Sequence, residues 1–171
     1  MAHPSDLAPA LAALEAEVVI AGSEGEKTLT LQDFFTPAND FTETVLKPGE
    51  FLTGVQVPNQ KGKTYQSFLK RRIQHASDFA LSSVATVARI QDGICEDIRI
   101  VLGGIAPFPY MASRAVEMLT GRKLTVKLIS QAAEASLEKA RPLPMNHYKV
   151  DLTTALVRRA LSSMWHEAAG V

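Results

Sequence analysis

The feature that most constrains the fold is a pair of long apolar and β-branched runs, residues 81–90 and 94–102, separated only by the letters QDG. An Asp-Gly pair between two such runs is typical of a tight β-hairpin, because both residues tolerate the positive φ angles that the turn requires. The preceding residues 64–70 also have the pattern of a strand. The sequence therefore predicts a three-stranded antiparallel sheet in this part of the chain.

Helical signals follow the predicted sheet. Ser113 is placed to cap a helix that runs to Leu119 and is closed by Gly121, and Asp151 is placed to cap a later helix. Strands followed by helices predict an α+β domain, with the three-stranded sheet packed on three helices. Apolar residues at helical spacing mark the inward faces of the second and third helices: Val126, Ile129, Ala133 and Leu137, then Leu152, Leu156, Ala160 and Met164.

The first 58 residues have a different pattern. Leucines at helical spacing predict a helix over 7–16, with Asp6 at its N-cap and Pro9 in its first turn. The letters NQKGK, residues 59–63, are typical of a linker. We therefore predict two units, residues 1–58 and 63–168. Within the first unit, strands are predicted over 18–21, 28–31 and 51–57, and a long loop over 33–50.

Composition excludes several classes of protein. The chain has 171 residues, 18 basic and 18 acidic side chains, a net charge of zero and a single cysteine, Cys95. The balanced charge gives no support for binding to nucleic acid or to an anionic membrane. One cysteine excludes an internal disulfide and an all-thiolate iron–sulfur or zinc site. Neither a membrane span nor a signal peptide is indicated, so we expect a cytoplasmic protein.

Motifs for metal binding and for nucleophilic catalysis are missing from the sequence. The four histidines, His3, His75, His147 and His166, have no ligand partner at i+3 or i+4. No nucleophile elbow and no Cys/His pair at a known spacing is present. Cys95 lies in a predicted strand, where we expect a buried core cysteine.

Two segments could hold a ligand. Residues 69–80, LKRRIQHASDFA, have the densest positive charge: Lys70, Arg71, Arg72 and His75 are interpreted either as a solvated strand end or as a site for a phosphate or an electron-rich ring. Gly103 and Gly104 end a predicted strand, where they indicate a turn or the close approach of a backbone or planar ligand. No G-x-G-x-x-G or P-loop motif is present.

Six segments occur together in the order found in one family. The segments are AHPSDLAPALAALEAEVVI, LQDFF, LKPGEFLTGVQVP, SFLKRRIQHASDFALSSVA, IRIVLGGIAPFP and RPLPMNHYKVDLTTALVRRAL. In these segments the sequence resembles the FAD-binding medium subunits of molybdenum hydroxylases, such as xanthine dehydrogenase and carbon monoxide dehydrogenase, and most of all the bacterial aldehyde oxidoreductase type. The resemblance implies the tail of a PCMH-like FAD-binding domain over 1–58 and a CO-dehydrogenase-flavoprotein-type C-terminal domain over 63–168.

The resemblance also implies that the chain is the C-terminal part of a flavin subunit. In the family, the HPSDL segment follows an N-terminal half whose glycine-rich loops cradle the FAD pyrophosphate, and this sequence has no such loop. Because pyrophosphate contacts carry much of the affinity, we expect weak or no FAD binding by this chain alone.

Three residues match flavin contacts of the family: Asp6, Leu52 and Lys70. Each has a structural alternative, which is an N-cap for Asp6, core packing for Leu52 and a surface lysine for Lys70. Arg72 and His75 are further cofactor-binding candidates. A cation at Lys70 or Arg72 would favour reduced, anionic flavin.

The resemblance implies a role in an FAD-dependent oxidoreductase complex. A molybdopterin-binding large subunit would hydroxylate the substrate, [2Fe-2S] clusters on a small subunit would pass electrons to FAD, and the flavin subunit would deliver them to a final acceptor. A separate N-terminal FAD-binding half is a further implied partner, and such a complex is also compatible with the periplasm. Two alternatives stay open: a non-catalytic docking module or remnant that does not bind FAD by itself, and a stand-alone anion binder using residues 70–75.

Overall fold

The first part of the chain forms a small antiparallel sheet with two short helices. The computed structural model describes residues 2–35, 42–73 and 78–170. Val18 and Ile20 of the central strand and Leu31 and Phe34 of the second helix form a small apolar core. The elements are α1 (Leu7–Ala13), β1 (Glu17–Gly22), β2 (Gly25–Thr30), α2 (Leu31–Phe34) and β3 (Phe51–Gln56), and the strand order is β2-β1-β3.

The boundary between β2 and α2 differs from the prediction. Leu31 was expected to end the strand and residues 33–50 to form a loop, but Leu31 begins α2. The Thr30 hydroxyl accepts a hydrogen bond from the Asp33 N–H (3.1 Å) and caps this short helix. A local side-chain cap therefore ends the strand earlier than its alternating pattern predicts.

The second part contains the predicted antiparallel sheet, with two short strands added. Phe68 of β4 lies opposite Ala85 of β5, which lies opposite Val101 of β6. Asp92 and Gly93 have φ angles of 53° and 77°, as the predicted tight hairpin turn requires. The strands are β4 (Tyr65–Arg71), β5 (Ser82–Gln91), β6 (Ile94–Gly103), β7 (Tyr110–Met111) and β8 (Arg122–Lys123), in the order β4-β5-β6-β7 with β8 also paired to β6.

Three helices cover one face of this sheet, which confirms the predicted α+β arrangement. They are α3 (Ser113–Leu119), α4 (Val126–Ala135) and α5 (Tyr148–Ala169). Together with the inward residues of β5 and β6 they form the main core. Its large buried side chains include Val84, Ile98, Ile100, Leu102, Ile129, Val157, Leu161 and Met164.

Two predicted helix starts were wrong, and so was the inward position of Val126. Ser113 is the first residue of α3, whose N-cap is Ala112 and has no side-chain cap bond. Val126 begins α4, which the Thr125 hydroxyl caps by accepting from the Leu128 N–H at 3.1 Å, but the Val126 side chain is exposed. Asp151 lies in the first turn of α5, which starts earlier, at Tyr148.

Cys95 is buried in the main core, as predicted. Burial raises the pKa of its thiol to about 12, because the thiolate would lose its hydration there, and Asp97 adds to the rise. Cys95 is therefore a packing residue rather than a nucleophile.

The opposite face of the larger sheet is covered by α1. Ala13 of α1 packs against Ala85, Val87 and Val101 of β5 and β6. Gln60 reinforces this contact, since its Nε2 donates to the Leu14 carbonyl at 3.2 Å and its Oε1 accepts from Arg99 at 2.9 Å. The sheet thus has α1 on one face and α3, α4 and α5 on the other.

The described residues contain no helix long and apolar enough to cross a membrane. Within the same ranges, no group of three or more His, Cys, Asp or Glu side chains is arranged to hold a metal ion.

Candidate functional site

The structure brings together two residues that the sequence analysis singled out, Asp6 and Lys70. Asp6 directly precedes α1, and Lys70 is near the end of β4. The Lys70 ammonium donates to Asp6 Oδ2 at 2.5 Å and to the Asp78 carbonyl at 2.9 Å. The side chain of Asp6 is 34% exposed and that of Lys70 is 21% exposed, so the ion pair is half-buried. The pair joins the start of α1 to the larger sheet.

The Asp6 carboxylate does not serve as the helix cap. Asp6 occupies the N-cap position of α1, but its side chain makes no cap bond. Instead, the Ser5 hydroxyl accepts from the Ala8 N–H at 3.0 Å. Asp6 therefore lies at the predicted N-cap position but does not make the capping bond, and Ser5, a residue type equally favoured at caps, was missed.

The second carboxylate oxygen of Asp6 is the unusual feature of this pair. Asp6 Oδ1 is buried and has no hydrogen-bond partner among the described residues. A buried acceptor without a partner costs about 1–3 kcal/mol, and more when it is charged. This oxygen can therefore accept a hydrogen bond from a hydroxyl or N–H group of a bound molecule.

Three exposed apolar side chains lie close to this cluster in the sequence. Leu7 follows Asp6, Phe79 follows Asp78, and Ile73 follows Arg72. Arg72 itself is half-buried directly after β4, and His75 lies outside the described residues. An acceptor and an ammonium, with exposed apolar side chains close to them in the sequence, suit a ligand with hydroxyl groups and a flat apolar ring.

Gly103 lies against the start of α1, and Gly104 lies against the segment before β5. A Cβ atom at Gly103 would lie 2.6 Å from Pro9 Cγ and 2.4 Å from Ser83 Oγ. A Cβ atom at Gly104 would lie 2.7 Å from the Ala80 carbonyl oxygen. The close approach expected at this glycine pair is therefore made by the protein itself.

Leu52 lies on β3, in the smaller sheet, opposite Ile20 of β1. Its exposed fraction is 42%, so the core-packing interpretation of Leu52 was wrong. Within the part of the chain that is described, no hydrogen bond or buried cluster joins Leu52 to the Asp6–Lys70 pair.

The edge of the smaller sheet next to Leu52 is open and apolar. β3 is the last strand in the order β2-β1-β3, so one side of its backbone has no neighbouring strand among the described residues. Phe51, Leu52 and Val55 of β3 are all exposed, with Phe51 at 62%. An open edge of this kind readily pairs with another strand.

A separate groove of about 560 Å³ lies where α1 and α2 meet β6 and β7. Its charged lining residues are Glu15 and Arg99, which form an ion pair with each other. None of the predicted cofactor-binding residues is among the described residues that line it. This groove therefore does not belong to the Asp6–Lys70 site.

The sequence and fold of this chain match a known class of flavoproteins. Residues 66–164 match the model of the CO dehydrogenase flavoprotein C-terminal domain, and residues 1–60 match the FAD binding domain in molybdopterin dehydrogenase. The first match covers more than half of the chain, so the chain belongs to the CO dehydrogenase flavoprotein C-terminal domain family.

Curated relatives include subunits of dehydrogenases and of an oxidoreductase. The glyceraldehyde dehydrogenase medium chain of Sulfolobus acidocaldarius is 28% identical, over 94% of this chain and 57% of its own length. The aldehyde oxidoreductase FAD-binding subunit PaoB of Escherichia coli is 32% identical, over 97% of this chain and 48% of its own length. The chain thus spans about half the length of these relatives.

Solved structures agree with this assignment. Carbon monoxide dehydrogenase from Hydrogenophaga pseudoflava superposes with a TM-score of 0.83 at 28% identity, over 94% of this chain and 59% of that chain. Quinoline 2-oxidoreductase from Pseudomonas putida 86 gives a TM-score of 0.81 at 26% identity, over 98% of this chain and 59% of that chain.

Proposed function

We propose that this chain is part of the FAD-binding subunit of a molybdenum hydroxylase, and that Asp6, Lys70 and Leu52 line one wall of its flavin site. The observation that carries the proposal is the buried Asp6 Oδ1 atom without a partner, beside the Lys70 ammonium. FAD, when bound, supplies the electron-transfer chemistry. In this proposal, Asp6 Oδ1 accepts a hydrogen bond from a cofactor hydroxyl, and Leu52 and Leu7 give apolar contact.

The charges of the ion pair define how this wall acts on the cofactor. Lys70 places a positive charge at the site, which favours a negative charge on a neighbouring ligand. Asp6 offsets part of that charge because it lies 2.5 Å from the ammonium. The pair therefore holds the site closer to neutrality than Lys70 alone would. Arg72 and His75 remain proposed members of the same site.

The pyrophosphate would be held elsewhere, because this sequence contains no glycine-rich phosphate loop. We propose that the part of the flavin subunit which this chain does not cover supplies that loop. We also propose that it adds a strand to the open edge of β3, since Phe51, Leu52 and Val55 leave this edge apolar. β3 lies within residues 1–60, which match the FAD-binding domain, and this supports the rest of that domain as the source of the added strand.

The wider assembly follows from the same proposal. A molybdopterin-binding large subunit and a [2Fe-2S] small subunit are the proposed partners, and electrons would pass from the clusters through FAD to a final acceptor. The division at residues 59–63 into a flavin-binding unit and a C-terminal unit is likewise proposed. Gln60, within this segment, forms side-chain hydrogen bonds with Leu14 of the first unit and with Arg99 of the second. The segment at the proposed boundary therefore contacts both units.

The proposal is tested on the complex purified from its own source, with co-purifying chains identified and flavin content measured from the visible spectrum. We expect Asp6→Asn and Lys70→Met to weaken flavin binding about tenfold to a hundredfold, because each removes a charged hydrogen-bonding group. Lys70→Met should lower the flavin reduction potential, and Asp6→Asn should raise it.

Lys61→Met is the matched control, since Lys61 is an exposed lysine in the segment after β3. This variant should leave flavin content and potential unchanged. If both site variants keep wild-type flavin content and potential, the proposed wall is wrong. If the complex contains no flavin and no molybdenum or iron–sulfur partner, the proposed function is wrong.

A further inference from the structure

A second cavity lies in the C-terminal part of the chain, away from the Asp6–Lys70 pair. It has a volume of about 180 Å³ and lies between the residues that follow β6, the segment after α4 and the first turns of α5. Asp6, Lys70, Leu52 and Arg72 are not among the described residues that line it. Its size suits a small organic molecule rather than a single water or a drug-sized ligand.

Lys149 brings an uncompensated positive charge into this cavity. Its ammonium donates to the Gly104 carbonyl at 2.8 Å, and its burial lowers the pKa of the amine. A carbonyl oxygen is a dipole and carries no full negative charge. No acidic side chain is among the described residues that line the cavity. A half-buried ammonium in such surroundings is stabilised by an anion.

Two more lining residues can donate hydrogen bonds to that anion. Arg141 uses Nη1 to reach the Ala140 carbonyl at 3.1 Å, and its other guanidinium N–H groups suit a carboxylate. Asn146 accepts from the Leu143 N–H through Oδ1 at 2.6 Å, which leaves its Nδ2 donors for a ligand.

Most of the other lining residues are apolar, and the exceptions are Lys139 and Thr153. Ile105, Tyr110, Leu137 and Val150 provide carbon surface next to the donors. An inorganic anion would gain nothing from this surface, whereas the carbon body of an organic acid would be removed from water by it. We propose that this cavity binds a small organic carboxylate, with the carboxylate at Lys149, Arg141 and Asn146 and its apolar body against these four side chains. The proposal does not depend on the flavin site.

The test is an NMR titration of the full chain with benzoate, and with benzamide as a neutral molecule of the same shape. We expect saturable shifts of lining residues with benzoate, and binding of benzamide at least about tenfold weaker, since a charge-assisted bond is lost. Arg141→Gln and Lys149→Met should each weaken benzoate binding by about the same factor. Lys127→Met, an exposed lysine of α4 that does not line the cavity, is the matched control.

Arg141 is exposed, so Arg141→Gln tests the site even if Lys149→Met does not fold. Equal binding of benzoate and benzamide would show that the cavity does not recognise the negative charge of the ligand. Binding of inorganic phosphate, but not of benzoate, at the same residues would show that the ligand is not an organic acid. Benzoate shifts that persist unchanged in Arg141→Gln, or the absence of any saturable shift, would overturn the site.

Discussion

At the scale of single residues, the Glu50 carboxylate links β2 to the residues that precede β3 in the smaller sheet. Its Oε1 accepts from the Lys27 ammonium at 2.5 Å, and its Oε2 accepts from the Lys47 N–H at 3.0 Å. Both bonds favour the ionised carboxylate, so they lower the pKa of Glu50 below its ordinary value of 4.5. The interaction therefore stabilises the folded state only while Glu50 is ionised.

We expect Glu50→Gln to lower the free energy of unfolding at neutral pH. A depressed pKa gives a contribution that is present above the ordinary value of 4.5 and is lost as the pH falls through the lower folded-state value. The difference between wild type and variant should therefore shrink across that acid range. Urea unfolding at a series of pH values measures this difference.

Glu26→Gln is the control for this experiment, because Glu26 is an exposed acid of β2 next to Lys27. It should show a smaller pH-dependent difference than Glu50→Gln. A Glu50→Gln difference that stays constant from neutral pH to strong acid would show that the carboxylate charge is not what stabilises this contact. Added salt should reduce the effect, since the pair is partly exposed.

At the same scale, the sequence singled out Asp6 and Lys70 but did not predict the contacts that they make. Family resemblance singled out these two residues, which are 64 positions apart and which no local pattern connects. Their ion pair depends on the docking of α1, so no sequence spacing could reveal it. Ser5 could have been found, since a serine three residues before Ala8 is a favoured cap.

At the scale of elements, Gly104 is where β6 meets the segment before β5. Its φ angle is +74°, and an added Cβ would lie 2.7 Å from the Ala80 carbonyl oxygen. Gly121 has the same φ angle of +74°, but no atom lies within 4 Å of its Cβ position. Substitutions at these two glycines can therefore distinguish the cost of backbone strain from the cost of steric overlap.

We expect Gly121→Ala to cost about 1–2 kcal/mol of stability, the usual cost of a left-handed conformation for an alanine. Gly104→Ala should cost about 1–3 kcal/mol more, because the backbone must also move away from the new methyl group. Denaturant unfolding of both variants measures the difference. Equal losses would show that the overlap at Gly104 is relieved without cost.

Element types were predicted more reliably than element ends. The β5–β6 hairpin and the helices of the C-terminal part have strong periodicity and a clear Asp92–Gly93 turn, and all are present. The errors lie at element ends: Thr30 caps α2 where a strand was expected, Ala112 rather than Ser113 is the N-cap of α3, and α5 begins at Tyr148, before Asp151. β7 and β8 have two residues each, too few for an alternating pattern to be recognised.

At the scale of the whole molecule, the edge of β3 is an exposed apolar surface. Phe51, Leu52 and Val55 are exposed on a strand that lacks a neighbour on one side among the described residues. We expect the isolated chain to self-associate through this edge. Val55→Lys should weaken the association at least about tenfold, because it puts a charge on the pairing strand.

Sedimentation velocity over a concentration series measures this association. Leu143→Lys is the control, since Leu143 is exposed in the segment between α4 and α5, far along the chain from β3. It should leave the association unchanged. An equal effect of both substitutions, or a chain that stays monomeric at all concentrations, would contradict a role of the β3 edge.

The placement of α1 on the larger sheet also constrains the order of folding. Ala13 has its core partners in Ala85, Val87 and Val101, which a ribosome makes long after α1. A helix of seven residues is not stable by itself in water. α1 therefore gains its structure only once the β5–β6 hairpin exists, and a contact of such long sequence separation makes folding slow relative to a chain with local contacts. α1 is thus ordered after the hairpin, although it is made before it, and the Asp6–Lys70 site is completed in that late step.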